Sequence, residues 1–185
     1  LNICALSTAK GMILNMKKFK LYYDKDLEQD WLQKMSQDGW AFKNFFLGVY
    51  TFVPCQPGEY IYQIDLLDDK NKSIQSFTAF MEDIGVEVVA QWYRWVYLRK
   101  KADDGPFEMY TDIESKINQY NRIKNFFLSF LFIESICFIV EFSAAIRTEN
   151  PTLWLFTALI GLICLAFLRI VWKCSFKIEQ LKREK

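Results

Sequence analysis

There is no histidine anywhere in this chain. That absence excludes Ser-His-Asp triads and histidine-ligated metal centres, and it removes the commonest general base near neutral pH. Cysteine is sparse and scattered. Cys4, Cys55, Cys137, Cys164 and Cys174 are odd in number and include no C-x-x-C pair, so neither a zinc site nor a disulfide framework is expected. The glycines stand singly, which rules out a G-x-x-x-x-G-K or G-x-G-x-x-G phosphate loop and a G-x-S-x-G nucleophile elbow. Nor does one sign of charge prevail. With 23 Lys and Arg against 22 Asp and Glu, the chain has no electrostatic footprint for nucleic acid, and none is expected as a partner. No catalytic set, cofactor or metal is left to assign, and an enzyme is not expected.

What the chain has in excess is apolar bulk, and its distribution changes sharply near residue 123. "IKNFFLSFLFIESICFIVEFSAAI" (123–146) and "LWLFTALIGLICLAFLRIVW" (153–172) are each about long enough to cross roughly 30 Å of hydrocarbon. Both are apolar all round, with no partner domain to cover them, so a membrane hairpin is expected rather than buried core helices. Basic residues fix the expected orientation. Lys116, Arg122 and Lys124 precede the first span, and Lys173, Lys177, Lys182, Arg183 and Lys185 follow the second. The loop 147–152 has only Arg147, beside Glu149. Both termini are therefore expected in the cytoplasm, on a multi-pass cell-membrane protein.

The first fifteen residues, "LNICALSTAKGMILN", match neither the rest of the chain nor a secretory signal. Residues 1–15 are expected to be a non-native or disordered leader, with Met16, or else Met12, as the natural start. A cytoplasmic domain is expected over 16–110. "KKFKLYY" alternates as a strand. In "DKDLEQDWLQKMSQDG" a helix capped by Asp26 turns Leu27, Trp31, Leu32 and Met35 inward. "AFKNFFLGVYTFVP" and "EYIYQIDLL" are the next strands, joined across "PCQPG". A second helix, "SIQSFTAFMEDIG", has Ser73 as cap and Ile74, Phe77, Met81 and Ile84 inward; "VEVVAQWYRWVYLRK" is the last strand. "MSQDGWAF" and "MEDIGVEVV" repeat one helix–Gly–strand punctuation. The expected fold is α+β: a ferredoxin-like split βαβ with a four-stranded antiparallel sheet and two helices, followed by a two-helix transmembrane hairpin. A linking helix over 111–122, with Thr111 and Glu114 at capping-box spacing, leads into the first span. A basic cytoplasmic tail over 173–185 ends the chain.

Acidic pairs are the weakest candidates for chemistry. Asp24, Asp26, Glu28 and Asp30 suit the positive end of a helix dipole, while Asp68–Asp69 and Asp103–Asp104 suit turns. Charges inside the spans say more, because hydrocarbon penalises them unless they are paired. Glu134 and Glu141 lie near one face of the first span, and Arg169 near the cytoplasmic end of the second; interhelical or intersubunit pairing is expected. The stretch "QWYRWVYLRK" (91–100) alternates Tyr93, Trp95 and Tyr97 against Trp92, Arg94, Val96 and Leu98. Both faces are apolar, so a second copy or a partner protein is expected to cover Tyr93, Trp95 and Tyr97, with Tyr60 and Tyr62 on a neighbouring strand. Base stacking is disfavoured by the lack of strand glycines and of basic charge.

Four stretches, "DLEQDWLQKMSQDGW", "YTFVPCQPGEYIYQIDLL", "FMEDIGVEVV" and "WYRWVYLRK", are followed by "YTDIESKINQYNRI". This combination resembles the bacterial family known as domain of unknown function 2812, over residues 16 to about 125. The resemblance implies C-terminal transmembrane helices and a Gram-positive source. It also implies a gene often found beside PadR-like transcriptional regulators, hence a regulatory or envelope-stress role. It carries over no catalytic residue. The function expected is a membrane-anchored protein-interaction or sensory module, homodimeric, acting on a transcription regulator or another membrane complex. Two alternatives remain: a transporter or immunity-type component in which the hairpin acts, and a small-molecule-binding domain.

Overall fold

A computed structural model describes residues 15–22, 24–67, 74–148 and 150–184. Residues 1–14, the expected cap Ser73, the Asp68–Asp69 pair and Glu149 lie outside the described residues. The chain divides into two compact units between Met109 and Tyr110. The first holds β1 (Met16–Phe19), α1 (Lys25–Gln37), β2 (Trp40–Phe46), β3 (Val49–Pro54), β4 (Tyr60–Leu66), α2 (Ile74–Asp83), β5 (Glu87–Trp92) and β6 (Trp95–Lys101). The second holds α3 (Ile113–Thr148) and α4 (Pro151–Arg183).

In place of one four-stranded sheet, the α+β unit forms two three-stranded antiparallel sheets, ordered β1-β3-β2 and β4-β6-β5. The difference arises at two turns. The runs 41–54 and 86–100, each expected to be one strand, fold back as hairpins at Leu47–Gly48 and Tyr93–Arg94. Leu47 and Gly48 have φ of 45° and 81°, the positive values that match a two-residue turn to strand twist. A Cβ on Gly48 would lie 2.8 Å from Leu21 Cδ2 and 3.1 Å from the Lys20 carbonyl oxygen, so the turn admits only glycine there. Tyr93 carries a φ of 55°, which is strained for a bulky side chain. Each half of the unit is thus a β-α-β-β repeat, the two halves sharing a helix-ending glycine, a hairpin and a bulge in the hairpin's first strand.

Two apolar clusters hold the unit together. The first lies between the sheets and includes Leu32 and Met35 of α1, Phe42, Tyr50 and Phe52 of the first sheet, and Tyr62, Ile64, Ala90 and Tyr97 of the second. The other packs Phe77 and Met81 of α2 on Val86, Val96, Leu98 and Phe107. Alternation along β6 explains this division: Tyr97 turns toward α1 and the first sheet, Val96 and Leu98 toward α2. Both faces of that strand are therefore covered from within the domain.

Helix α1 starts two residues earlier than expected, with Asp24 in place of Asp26 as N-cap, accepting from the Asp26 N–H at 3.1 Å. Its inward stripe is Glu28, Leu32, Met35 and Ser36, while Leu27 is exposed. A neighbouring polar stripe runs along β4, the edge of the second sheet. Gln29 accepts from the Ile64 N–H and Gln33 from the Tyr62 N–H, both at 3.2 Å. Ser36 accepts from the Tyr60 N–H and donates to its carbonyl. The helix thus satisfies an edge that would otherwise recruit another strand.

In the second unit the two helices form an antiparallel hairpin, in contact through Phe127–Phe167 and Phe142–Trp154 ring pairs. Asn150 caps α4, accepting from the Thr152 N–H, with Pro151 opening the first turn. Both helices are long and apolar enough to cross a membrane; their best windows have mean hydropathy 2.0 and 2.3 and are almost wholly unburied. At about 1.5 Å per residue each exceeds roughly 30 Å of hydrocarbon. The residues expected to form a tail continue α4 and bury Cys174, Ile178 and Leu181.

Two outcomes are expected in urea unfolding of the full chain in detergent, followed by tryptophan fluorescence. Gln33→Leu strips two hydrogen bonds from the β4 edge and should cost about 1–3 kcal/mol. Tyr93→Gly relieves the positive φ and should stabilise by about 1 kcal/mol; a loss of stability would mean that the Tyr93 ring contributes more than its backbone costs.

Candidate ligand site around Glu28

The acid closest to the first helix terminus that faces inward is Glu28, and it lies where the layers meet. Its side chain leaves α1 between the two sheets, with the residue only 8% exposed. The Tyr50 hydroxyl, from β3, donates to Glu28 Oε1 at 2.6 Å, and the Tyr97 hydroxyl, from β6, donates to the same oxygen at 2.7 Å. One carboxyl oxygen thus joins the helix to both sheets. Among the described residues no lysine or arginine forms an ion pair with this carboxyl.

Aromatic rings enclose these phenols. Trp31 meets Tyr50 edge-on at 4.8 Å between centroids, and Phe45 lies 4.8 Å from Tyr50 and 5.4 Å from Tyr97. Phe42 is 5.2 Å from Tyr97. Phe45 reaches this position because of the bulge in β2. Phe42 pairs with Phe52, but Asn44 pairs with Thr51, so Lys43 is the extra residue and Phe42 and Phe45 turn to the same side. Trp31, half-exposed, forms the outer wall with Tyr22, 5.6 Å away. The ammonium of Lys20 sits 4.6 Å from the Trp31 ring and 5.3 Å from that of Tyr22, and donates to the Tyr22 hydroxyl at 2.9 Å.

Burial pushes the Glu28 carboxyl above its ordinary value, against the lowering effect of the Tyr50 and Tyr97 phenols. Burial, and then the Glu28 charge, push both phenols upward as well, so they remain neutral donors. The resulting site is a single acid with neutral donors on one oxygen and apolar rings around it. Hard divalent metals want several oxygen ligands, and no group of three metal-binding side chains occurs among the described residues.

The residues singled out in sequence fall elsewhere. Tyr97 is buried as a Glu28 partner, and Tyr62 is buried with its hydroxyl accepting the Phe42 N–H at 2.8 Å, its phenol pushed by burial up to about 12. These two rings face the domain's own interior. Tyr93 projects from a hairpin tip, 67% exposed. Tyr60, under the Arg99 guanidinium at 4.5 Å, and Trp95 are half-buried at the margin of the first cluster. The five do not form one surface, because the stretch 91–100 turns at Tyr93–Arg94 instead of running straight. Glu134 and Glu141 are half-buried on α3 and Arg169 is exposed on α4. No ion pair joins these three among the described residues.

Glu28 itself was hidden by its position. An acid in a first helical turn reads as a dipole partner, although its spacing to Leu32 and Met35 places it on the inward stripe. Tyr50, Phe42 and Phe45 were legible only as strand residues.

The family described as proteins of unknown function, DUF2812, matches residues 24–132, a span that includes Glu28, Tyr50 and Tyr97. No curated protein and no solved structure matches the chain.

A raised carboxyl holds its proton more tightly in the folded chain than in the unfolded one. The stability it contributes is complete below the ordinary value of 4.5 and is lost as pH rises through the folded value. Glu28→Gln keeps an acceptor oxygen for the phenols and removes the ionisation. Its stability relative to the native chain is expected to increase as pH rises above the ordinary value of 4.5 in urea titrations. A relative decrease over that range would mean that the phenols stabilise the anion more than burial opposes it.

Proposed function

The chain belongs to the DUF2812 family, and from that premise we propose that it is a membrane-anchored sensory module whose α+β domain binds a small organic molecule at Glu28. The observation that carries this reading is a carboxyl held between two sheets, within aromatic rings, with phenol donors and, among the described residues, no cationic partner. An apolar side chain of similar size would pack there without the desolvation cost. Buried acids with shifted protonation and convergent donors are concentrated at binding sites.

The hairpin supplies the anchor in this reading. Lys116, Arg122, Lys124, Lys173, Lys177, Lys182 and Arg183 flank the apolar segments, which supports both termini and the sensory domain lying in the cytoplasm. A transcription regulator or membrane complex would receive the signal, and the exposed hairpin tips with Phe46, Leu47, Trp92 and Tyr93 are the surface offered to it.

Thermal unfolding of the detergent-purified full chain tests the reading, against a library of cationic, neutral and anionic organic molecules. A subset is expected to raise the midpoint by several degrees, since a ligand at about a hundred times its Kd stabilises by about 2.7 kcal/mol. Trp31→Ala, which opens the outer wall, should abolish that gain. Equal stabilisation of both proteins, or of neither by any compound, would overturn the reading.

A further inference from the structure

Resting on the reading of the Glu28 centre as a ligand site, we propose that its ligand is an organic cation: an ammonium or comparable centre carried on an apolar body. Three features of the site select this chemistry. The first is charge. The Glu28 carboxyl is buried with neutral phenols, and no lysine or arginine forms an ion pair with it among the described residues. In its ionised form the carboxyl would repel an anion, and a neutral molecule would leave that charge without compensation. A cation both neutralises it and is attracted more strongly in the low-dielectric interior than in water.

The second feature is the wall. The rings of Trp31, Phe42 and Phe45 each lie within 6 Å of the Tyr50 ring, whose hydroxyl ends on the carboxyl. Faces of such rings carry negative electrostatic potential, and groups of them are a recurrent device for holding quaternary ammonium ions. The chain displays this affinity itself: the Lys20 ammonium rests over the Trp31 and Tyr22 rings. Lys20 is anchored from its backbone, whose N–H donates to the Gly48 carbonyl at 2.8 Å, so its side chain occupies the outer ring faces as an internal occupant.

The third feature is the free valence of the carboxyl. Both phenols end on Oε1, and among the described residues no hydrogen bond is made to Oε2. That oxygen is the acceptor a ligand N–H would take, or the point against which a quaternary centre would pack. A lone carboxylate with apolar walls also favours a diffuse organic charge over a hydrated metal ion.

Titration calorimetry on the full chain in detergent tests the proposal with benzyltrimethylammonium, its neutral isostere neopentylbenzene and the anion benzenesulfonate. Saturable binding of the ammonium alone is expected, weakened at least about tenfold in Glu28→Gln. Lys20→Met, at a lysine that forms no ion pair with the carboxyl, should bind it severalfold more tightly because a competing ammonium has left the outer rings. Near-UV circular dichroism establishes that each variant is folded. If neopentylbenzene binds equally well and Glu28→Gln changes nothing, the cation is excluded and the ligand-site reading survives. If no probe binds while library compounds still stabilise in a Trp31-dependent manner, the cation is again excluded alone. Absence of both effects overturns the two readings together.

Discussion

Helix α1 lies along the open edge of one sheet and across the interior face of both, and the rest of the α+β unit depends on that placement. Its polar stripe of Gln29, Gln33 and Ser36 takes the β4 backbone groups that no strand pairs. Its apolar stripe of Leu32 and Met35 fills the space between the sheets. The two stripes fix the helix both in rotation and in translation, because an edge strand presents its N–H groups at every second residue while a helix returns to one face every three or four. Once that register is set, Glu28 has nowhere to go but inward.

What Glu28 meets there is a balance of opposed effects. Desolvation favours the protonated carboxyl; two phenol donors favour the carboxylate. Neither partner is charged, so burial and the phenols oppose each other at this carboxyl without a compensating cation from either phenol. The enclosure around it is rigid. The phenols come from different sheets, and Phe42 and Phe45, aligned by the β2 bulge, brace the Tyr97 ring while Phe45 also meets Tyr50. Any displacement of the carboxyl would therefore be felt by α1 and by both sheets at once, in a core that has little room to yield.

Periodicity made the helices readable: α1 and α2 follow their apolar spacing, and α3 and α4 their uninterrupted hydropathy. The sheets were less readable because both hairpin turns lie inside continuous apolar runs. Leu47–Gly48 and Tyr93–Arg94 lack the Asn-Gly or Asp-Gly chemistry that marks a tight turn, so two hairpins read as two strands. The turn at Tyr93–Arg94 also divides the aromatic row. With Tyr93 at a bend and Tyr97 past it, an alternating row of aromatics became one tip residue and one core residue. The candidate site was less legible still, since its members come from α1, β2, β3 and β6 and only the closing of two sheets brings them together.

The internal repeat separates what the fold requires of α1 from what it does not. Counting back equally from Met35 and Met81, both buried, and from Gly39 and Gly85, both at positive φ, the position of Glu28 in α1 is that of Ile74 in α2. Trp31 corresponds likewise to Phe77. Ile74 and Phe77 pack as plain hydrocarbon on the second cluster, so the β-α-β-β plan is satisfied by an aliphatic residue at this place. The acid in the first half instead ties α1 to both sheets through Tyr50 and Tyr97. A neighbour differs with it: where β6 has Val96, β3 at the matching hairpin position has Tyr50, whose hydroxyl reaches the carboxyl. One copy of the repeat thus carries a polar pair where the other carries an apolar one, at a cost in burial that the shared plan does not demand.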